Sequence, residues 1–149
     1  TFIQMIFAGL MAGMRAGLYY PSWPLMNGEF LPTVLQSTVH WSWENMTNYD
    51  SYLFAPALVQ FAHRMLAYLL GVLTVYMYFK LRKKVTVLPG KWLLTTMILV
   101  WIQIGLGILT VLYVQGKIPL FLGVSHQLVG LLYMMSLLFL YYSLRVKNE

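Results

Sequence analysis

Four runs of apolar residues, at about 1–19, 54–79, 91–114 and 119–143, leave this chain few ways to fold. Each holds about 20 residues, enough to cross the roughly 30 Å hydrocarbon layer of a bilayer as a helix. Composition agrees. The 149 residues are 60% hydrophobic and 9% charged, with a mean hydropathy of +0.68, outside the range of soluble domains. The expectation is an all-α, multi-pass membrane protein, a single four-helix transmembrane domain spanning 1–149. The first run is no secretory signal, because it lacks a basic n-region and a small-residue cleavage site and ends in Arg15. It starts without methionine and already apolar, which reads as a chain cut inside a helix.

The absence of cysteine excludes disulfides, thiolate ligands and cysteine nucleophiles. A net charge of +6 invites a nucleic-acid reading. However, Lys80, Arg82, Lys83, Lys84 and Lys91 crowd the second connection, and Arg145 and Lys147 follow the last run. By the positive-inside rule both places face the cytoplasm or the matrix, so the excess charge reports topology and not a nucleic-acid partner. Both termini are then inside. The long connection 20–53, with Glu29, Glu44 and Asp50, and the short one at 115–118 are external.

The chain carries an internal repeat. Ile3-Gln4-Met5 is echoed by Ile102-Gln103-Ile104, and Phe61-Ala62-His63-Arg64-Met65-Leu66-Ala67 aligns with Val124-Ser125-His126-Gln127-Leu128-Val129-Gly130. The bundle is therefore expected to be built from two repeated helix pairs, related by a pseudo-twofold axis along the membrane normal. His63 follows Pro56 by seven residues, and His126 follows Pro119 by seven. Proline suits the first turn of a helix, so each imidazole should lie two turns, roughly 10 Å, inside its helix and at one depth. Two neutral imidazoles at one depth can ligate a haem iron from opposite faces, their nitrogens about 4 Å apart. Zinc would want a third or fourth ligand, and no further histidine or carboxylate lies in a helix at that depth. The bland alternative is a pair of histidines that hydrogen-bond between helices.

Other features are compatible with either reading. Gly9, Gly13 and Gly17, and Gly105 and Gly107, can make room for a flat ring or simply for close helix packing. Arg15 and Arg64 are basic residues within helices near the outer side, able to pair outward-pointing propionates or to snorkel to headgroups. Gln4, Gln60, Gln103 and Gln127 can bond between helices or to ring substituents. The aromatic residues of 20–53, among them Trp23, Trp41 and Trp43, suit a headgroup belt or a cap over a cofactor edge. His40 reads as polar surface, and the methionines as apolar filling.

Taken together, Met11-Ala12-Gly13-Met14-Arg15-Ala16-Gly17-Leu18, Trp23-Pro24-Leu25-Met26-Asn27-Gly28, Glu44-Asn45, Gln60-Phe61-Ala62-His63-Arg64, Gln103-Ile104-Gly105-Leu106-Gly107-Ile108 and His126-Gln127 resemble the C-terminal half of the haem A synthase family. The likeness runs in order over essentially the whole chain. It implies an eight-helix enzyme of two four-helix halves, in the bacterial plasma membrane or the mitochondrial inner membrane, oxidising the C8 methyl of haem O to the formyl group of haem A. In the family the N-terminal half holds the substrate haem, with a glutamate three residues before its first histidine. The C-terminal half holds a haem b that passes electrons. Here that position is Gln60, which fits the haem b half, with His63 and His126 as iron ligands, Arg15 and Arg64 toward the propionates, and no catalytic residue in this chain. The family's external cysteine pair is missing. The partners implied are the N-terminal half with its haem O, an electron donor and the bilayer, with a homo-oligomer left open. A free-standing bis-histidine cytochrome b, and a cofactor-free transporter or assembly subunit, are the competing readings.

Overall fold

The structure, a computed structural model, describes residues 1–145, so Lys147 lies outside the described residues. It is helical throughout, and three helices are long and apolar enough to cross a membrane: α4 (Phe54–Leu81), α5 (Val87–Leu112) and α6 (Leu120–Arg145). Preceding them are α1 (Phe2–Gly13) and two short loop helices, α2 (Thr33–Gln36) and α3 (Trp43–Thr47). Their lipid-facing surfaces show as exposed large side chains such as Leu69, Val72, Trp101 and Phe121.

The first run departs from expectation. Instead of running on as helix to about residue 19, α1 ends at Gly13. The cause is local. Arg15 adopts a left-handed conformation (φ 49°, ψ 34°), followed by a single 3-10 turn over Ala16–Leu18. Gly9, Gly13 and Gly17 weaken the run as a helix, since glycine loses more backbone freedom on ordering than any other residue. At the other end of the connection, α5 begins four residues earlier than its apolar run, because Pro89 is tolerated in a first helical turn, and Lys91 becomes helical.

α1 packs on α4, α4 on α5, and α5 on α6 along most of their length. By contrast α4 and α6 stand apart, joined chiefly by side chains. At the basic end of the bundle, near the α4–α5 turn, the join is polar: Thr74 Oγ1 and Tyr133 Oη lie 2.6 Å apart, both buried. Thr74 donates its proton to Leu70 O at 2.8 Å, so Tyr133 donates to Thr74. One turn further, Thr96 and Ser136 Oγ atoms lie 3.0 Å apart and tie α5 to α6.

The 20–53 connection is folded onto the start of α4 and makes the main apolar cluster, with Tyr20, Met26 and Leu35 against Phe54 and Ala57. Trp41 meets Phe54 edge-on at 5.1 Å, and Phe30 meets Phe61 at 6.0 Å. Asn27-Gly28 turns the chain with both φ positive (53° and 89°), a conformation that glycine adopts without steric cost, and Met26 pairs with Glu29 across it. Glu29 then caps α2, accepting from Thr33 N at 2.6 Å and from the Thr33 hydroxyl. These bonds hold its carboxyl below the usual carboxylate range.

Candidate functional site

Proline sets up both histidines. Pro56 lies in the first turn of α4 and Pro119 directly precedes α6, placing His63 and His126 in the half of the bundle nearer the 20–53 connection. Across the α4–α6 gap the two imidazoles meet with ring centroids 6.3 Å apart and planes at 65°. They sit where two cavities join. One, of about 380 Å³, extends toward Tyr133 and the basic end; the other, of about 120 Å³, extends toward Gly17 and Ile118. Both histidines line both cavities, as do Ala8 and Gln127.

Each imidazole is served by a glutamine from the preceding apolar helix of its own repeat. His126 Nδ1 donates to the backbone oxygen of Gln103 at 3.0 Å, and the Gln103 side-chain Nε2 donates to His126 Nε2 at 3.3 Å. An oxygen can only accept and an amide nitrogen only donate, so these contacts fix one tautomer, with the proton on Nδ1 and the lone pair on Nε2. Gln4 Nε2 lies 3.2 Å from both ring nitrogens of His63 and also donates to His63 O at 3.0 Å. The α5–α6 approach depends on glycine: a Cβ at Gly107 would lie 2.9 Å from His126 Cε1, and one at Gly130 would lie 3.0 Å from Gln103 Nε2.

Arg64 is 8% exposed and lines the larger cavity, and its guanidinium is turned to the loop. Nη2 donates to Ser22 O at 2.8 Å and Tyr20 O at 3.2 Å, and Nη1 to Leu25 O at 3.4 Å. Gln60, fully buried one turn earlier, also donates to Tyr20 O, at 3.0 Å, and lines neither cavity. Replacing Arg64 with methionine should therefore free the loop before the histidine site is touched. Losing hydrogen bonds from a buried cation costs on the order of 2–4 kcal/mol. The expected signs are a lower unfolding temperature in detergent and faster proteolysis within 20–53.

Arg15 is exposed and lines neither cavity, because the left-handed turn at that residue carries the chain out of α1; the structure does not bring it to the histidine pair. His40 is exposed in the connection. All three loop tryptophans are exposed, but Trp23 lines the larger cavity and donates to Tyr68 Oη at 3.0 Å, whereas Trp41 and Trp43 line neither cavity. Sequence reasoning offered Trp23 among the aromatics able to cap a cofactor edge, and missed Tyr68 and Tyr133 as lining residues. Only Tyr133 had a visible signal, as one of several hydroxyl residues (with Thr74, Thr96 and Ser136) deep in apolar helices. Among the described residues no group of three or more His, Cys, Asp or Glu side chains comes together. The two imidazoles are thus the nitrogen donors that the gap offers.

Residues 1–138 match the family model described as COX15-CtaA, cytochrome oxidase assembly protein. Among curated relatives, the chain is similar to the heme A synthases of Paracoccus denitrificans (32% identical over 128 residues, 86% of this chain and 31% of the relative), Brucella anthropi (38% over 134 residues, 87% and 34%) and Parvibaculum lavamentivorans (39% over 126 residues, 85% and 33%). The chain thus spans about a third of the length of the curated relatives it matches. No solved structure matches it.

Proposed function

The chain belongs to the COX15-CtaA family of cytochrome oxidase assembly proteins, and from that premise we propose that it is the haem b-binding half of a haem A synthase, with His63 and His126 as axial ligands. Membership, with three apolar helices, makes it an integral multi-pass membrane protein. The observation that carries the proposal is the histidine pair in the α4–α6 gap.

The residues present fit the group. His63 and His126 would hold the group from two helices, across a gap that metal–nitrogen bonds of about 2 Å on each side could bridge. Their ring centroids are 6.3 Å apart. The larger cavity, about 380 Å³, falls within the range of about 300–1,000 Å³ usual for cofactor sites. His126 meets a further requirement, since a ligating imidazole donates its other N–H to a carbonyl or carboxylate that fixes its orientation. The Nδ1 contact with Gln103 O does this. Arg64 has N–H groups beyond those given to the loop and lies on the cavity wall, where it can meet a propionate. Of the two arginines, it is the one that carries that part of the proposal.

Bound there, haem b supplies one-electron transfer. The protein's part is to hold the two imidazoles at fixed separation, to keep water out with Ala8, Ile104, Leu131 and Val100, and to cap the larger cavity with Trp23. Gln60 faces a loop carbonyl and stays off the cavity, which suits a relay half that performs no proton chemistry at that position. Oxidation of the haem O methyl group then belongs to a partner half outside this chain, and an electron donor feeds the relay. We further read α1 as belonging to a fourth span, with both termini on the cytoplasmic or matrix side and 20–53 outside.

The test is spectroscopic. The full chain, purified in detergent from cells making haem, should show a low-spin b-type absorption spectrum and a bis-imidazole electron paramagnetic signature. A chain that shows no visible absorption and takes up no added haem would overturn the reading in favour of histidines that serve only as interhelical hydrogen-bond partners.

A further inference from the structure

Gln4 and Gln103 occupy matching positions in the repeat, and each meets the histidine of the next long helix in its own half. In both, the amide nitrogen faces the imidazole while Oε1 is buried and has no hydrogen-bond partner. Buried polar atoms are nearly always paired, and Gln60 Oε1 is a third such orphan, away from the histidines; what sets Gln4 and Gln103 apart is that each turns its amide nitrogen to an imidazole.

We propose that Gln103 is a placeholder: its carboxamide N–H group holds the ligating lone pair of His126 until the cofactor site is filled, and then swings away. The proposal rests on axial ligation by His63 and His126. For His126 the geometry assigns the atoms. The proton sits on Nδ1 against the Gln103 carbonyl, and the lone pair accepting from the Gln103 side chain is the Nε2 pair that ligation needs. For His63 the single Gln4 nitrogen is equidistant from both ring nitrogens, at 3.2 Å, so it sits over the ring and along neither in-plane lone pair, and the assignment is made for Gln103 alone. No proton moves in the exchange. The amide keeps both hydrogens, His126 keeps its Nδ1 proton on the backbone carbonyl, and one weak N–H···N contact is given up.

The arrangement is poised for release. A contact of 3.2–3.3 Å is long for a hydrogen bond, and the partner oxygen is unsatisfied while the amide stays in place. Gly130 makes room for the Gln103 carboxamide against α6, and any side chain there would press on it. A placeholder and a supporting residue predict opposite outcomes. Removing a supporting amide weakens cofactor binding, whereas removing a competing one speeds uptake.

The experiment uses Gln103→Met in the full chain, prepared haem-free, with haem uptake followed by Soret absorbance. Methionine keeps the length and apolar packing but cannot donate. Uptake should be about two- to tenfold faster than in the parent, the range expected from deleting one competing neutral hydrogen bond. Equal or slower uptake in Gln103→Met would overturn the proposal. A second readout needs no haem: nitrogen-15 NMR of the haem-free parent should show His126 as the Nδ1–H tautomer with a hydrogen-bonded Nε2, and an Nε2–H tautomer would also overturn it. A parent that takes up no haem defeats axial ligation, and the NMR result then still decides the glutamine contact.

Discussion

Replacing either His63 or His126 with alanine is expected to abolish the low-spin spectrum completely. The gap between α4 and α6 offers no third nitrogen donor: among the described residues no further His, Asp or Glu joins the pair. The neighbouring glutamines are poor substitutes, because an amide nitrogen has no free lone pair and a neutral amide oxygen is a weak ligand for haem iron. Each single variant therefore leaves one axial position without a strong protein ligand, and any haem retained should be high-spin. Histidine-to-glycine variants sharpen the test. Each leaves a hole bordering both cavities, and added imidazole should enter it and restore the low-spin bands. A low-spin spectrum that survives in both alanine variants would show that other groups hold the iron.

The second large effect is expected at Gly107. A methyl group there would sit 2.9 Å from His126 Cε1, with the ring's Nδ1 and Nε2 at 3.4 and 3.6 Å. The obstruction is a ring held by its own hydrogen bond and not the free end of a flexible chain. The imidazole can give way only by breaking its bond to Gln103 O and moving toward α4, into the space between the two histidines. Overpacking of this kind costs about 1–3 kcal/mol, and each 1.4 kcal/mol is a factor of about ten. Haem affinity in Gly107→Ala should fall by about ten- to a hundredfold, measured by haem transfer to an acceptor protein. Gly105→Ala is the control. Nothing lies within 4 Å of a Cβ at that position, so affinity there should match the parent. Equal losses in both variants would mean that the stretch matters for helix packing in general and not for the ring.

The three long helices were legible because apolar composition alone marks them. Runs placed at 54–79, 91–114 and 119–143 became helices at Phe54–Leu81, Val87–Leu112 and Leu120–Arg145. The same measure misjudged α1, since hydropathy counts side chains and is blind to a backbone turn such as the one at Arg15. The histidines were visible through repetition, a pattern that survives without any knowledge of contacts. Their glutamine partners were visible only as polar residues in apolar helices, with no sign of what each one bonds. The destination of Arg64 was hidden for a different reason. Its partners are backbone carbonyls of the connection, and main-chain oxygens leave no trace in a pattern of residue types. For the same reason the apolar cluster beneath the connection went unseen, because Tyr20, Met26 and Leu35 follow neither a helical nor a strand period.

The hydroxyl rungs between Tyr133 and Thr74, and between Ser136 and Thr96, have a mechanical consequence. They pin one end of the bundle like the spring of a clothes-peg, while at the jaws the two imidazoles face each other across the α4–α6 gap. A flat, rigid guest entering between the rings leaves that end tied, and the tied end brings the rings back to the same spacing each time.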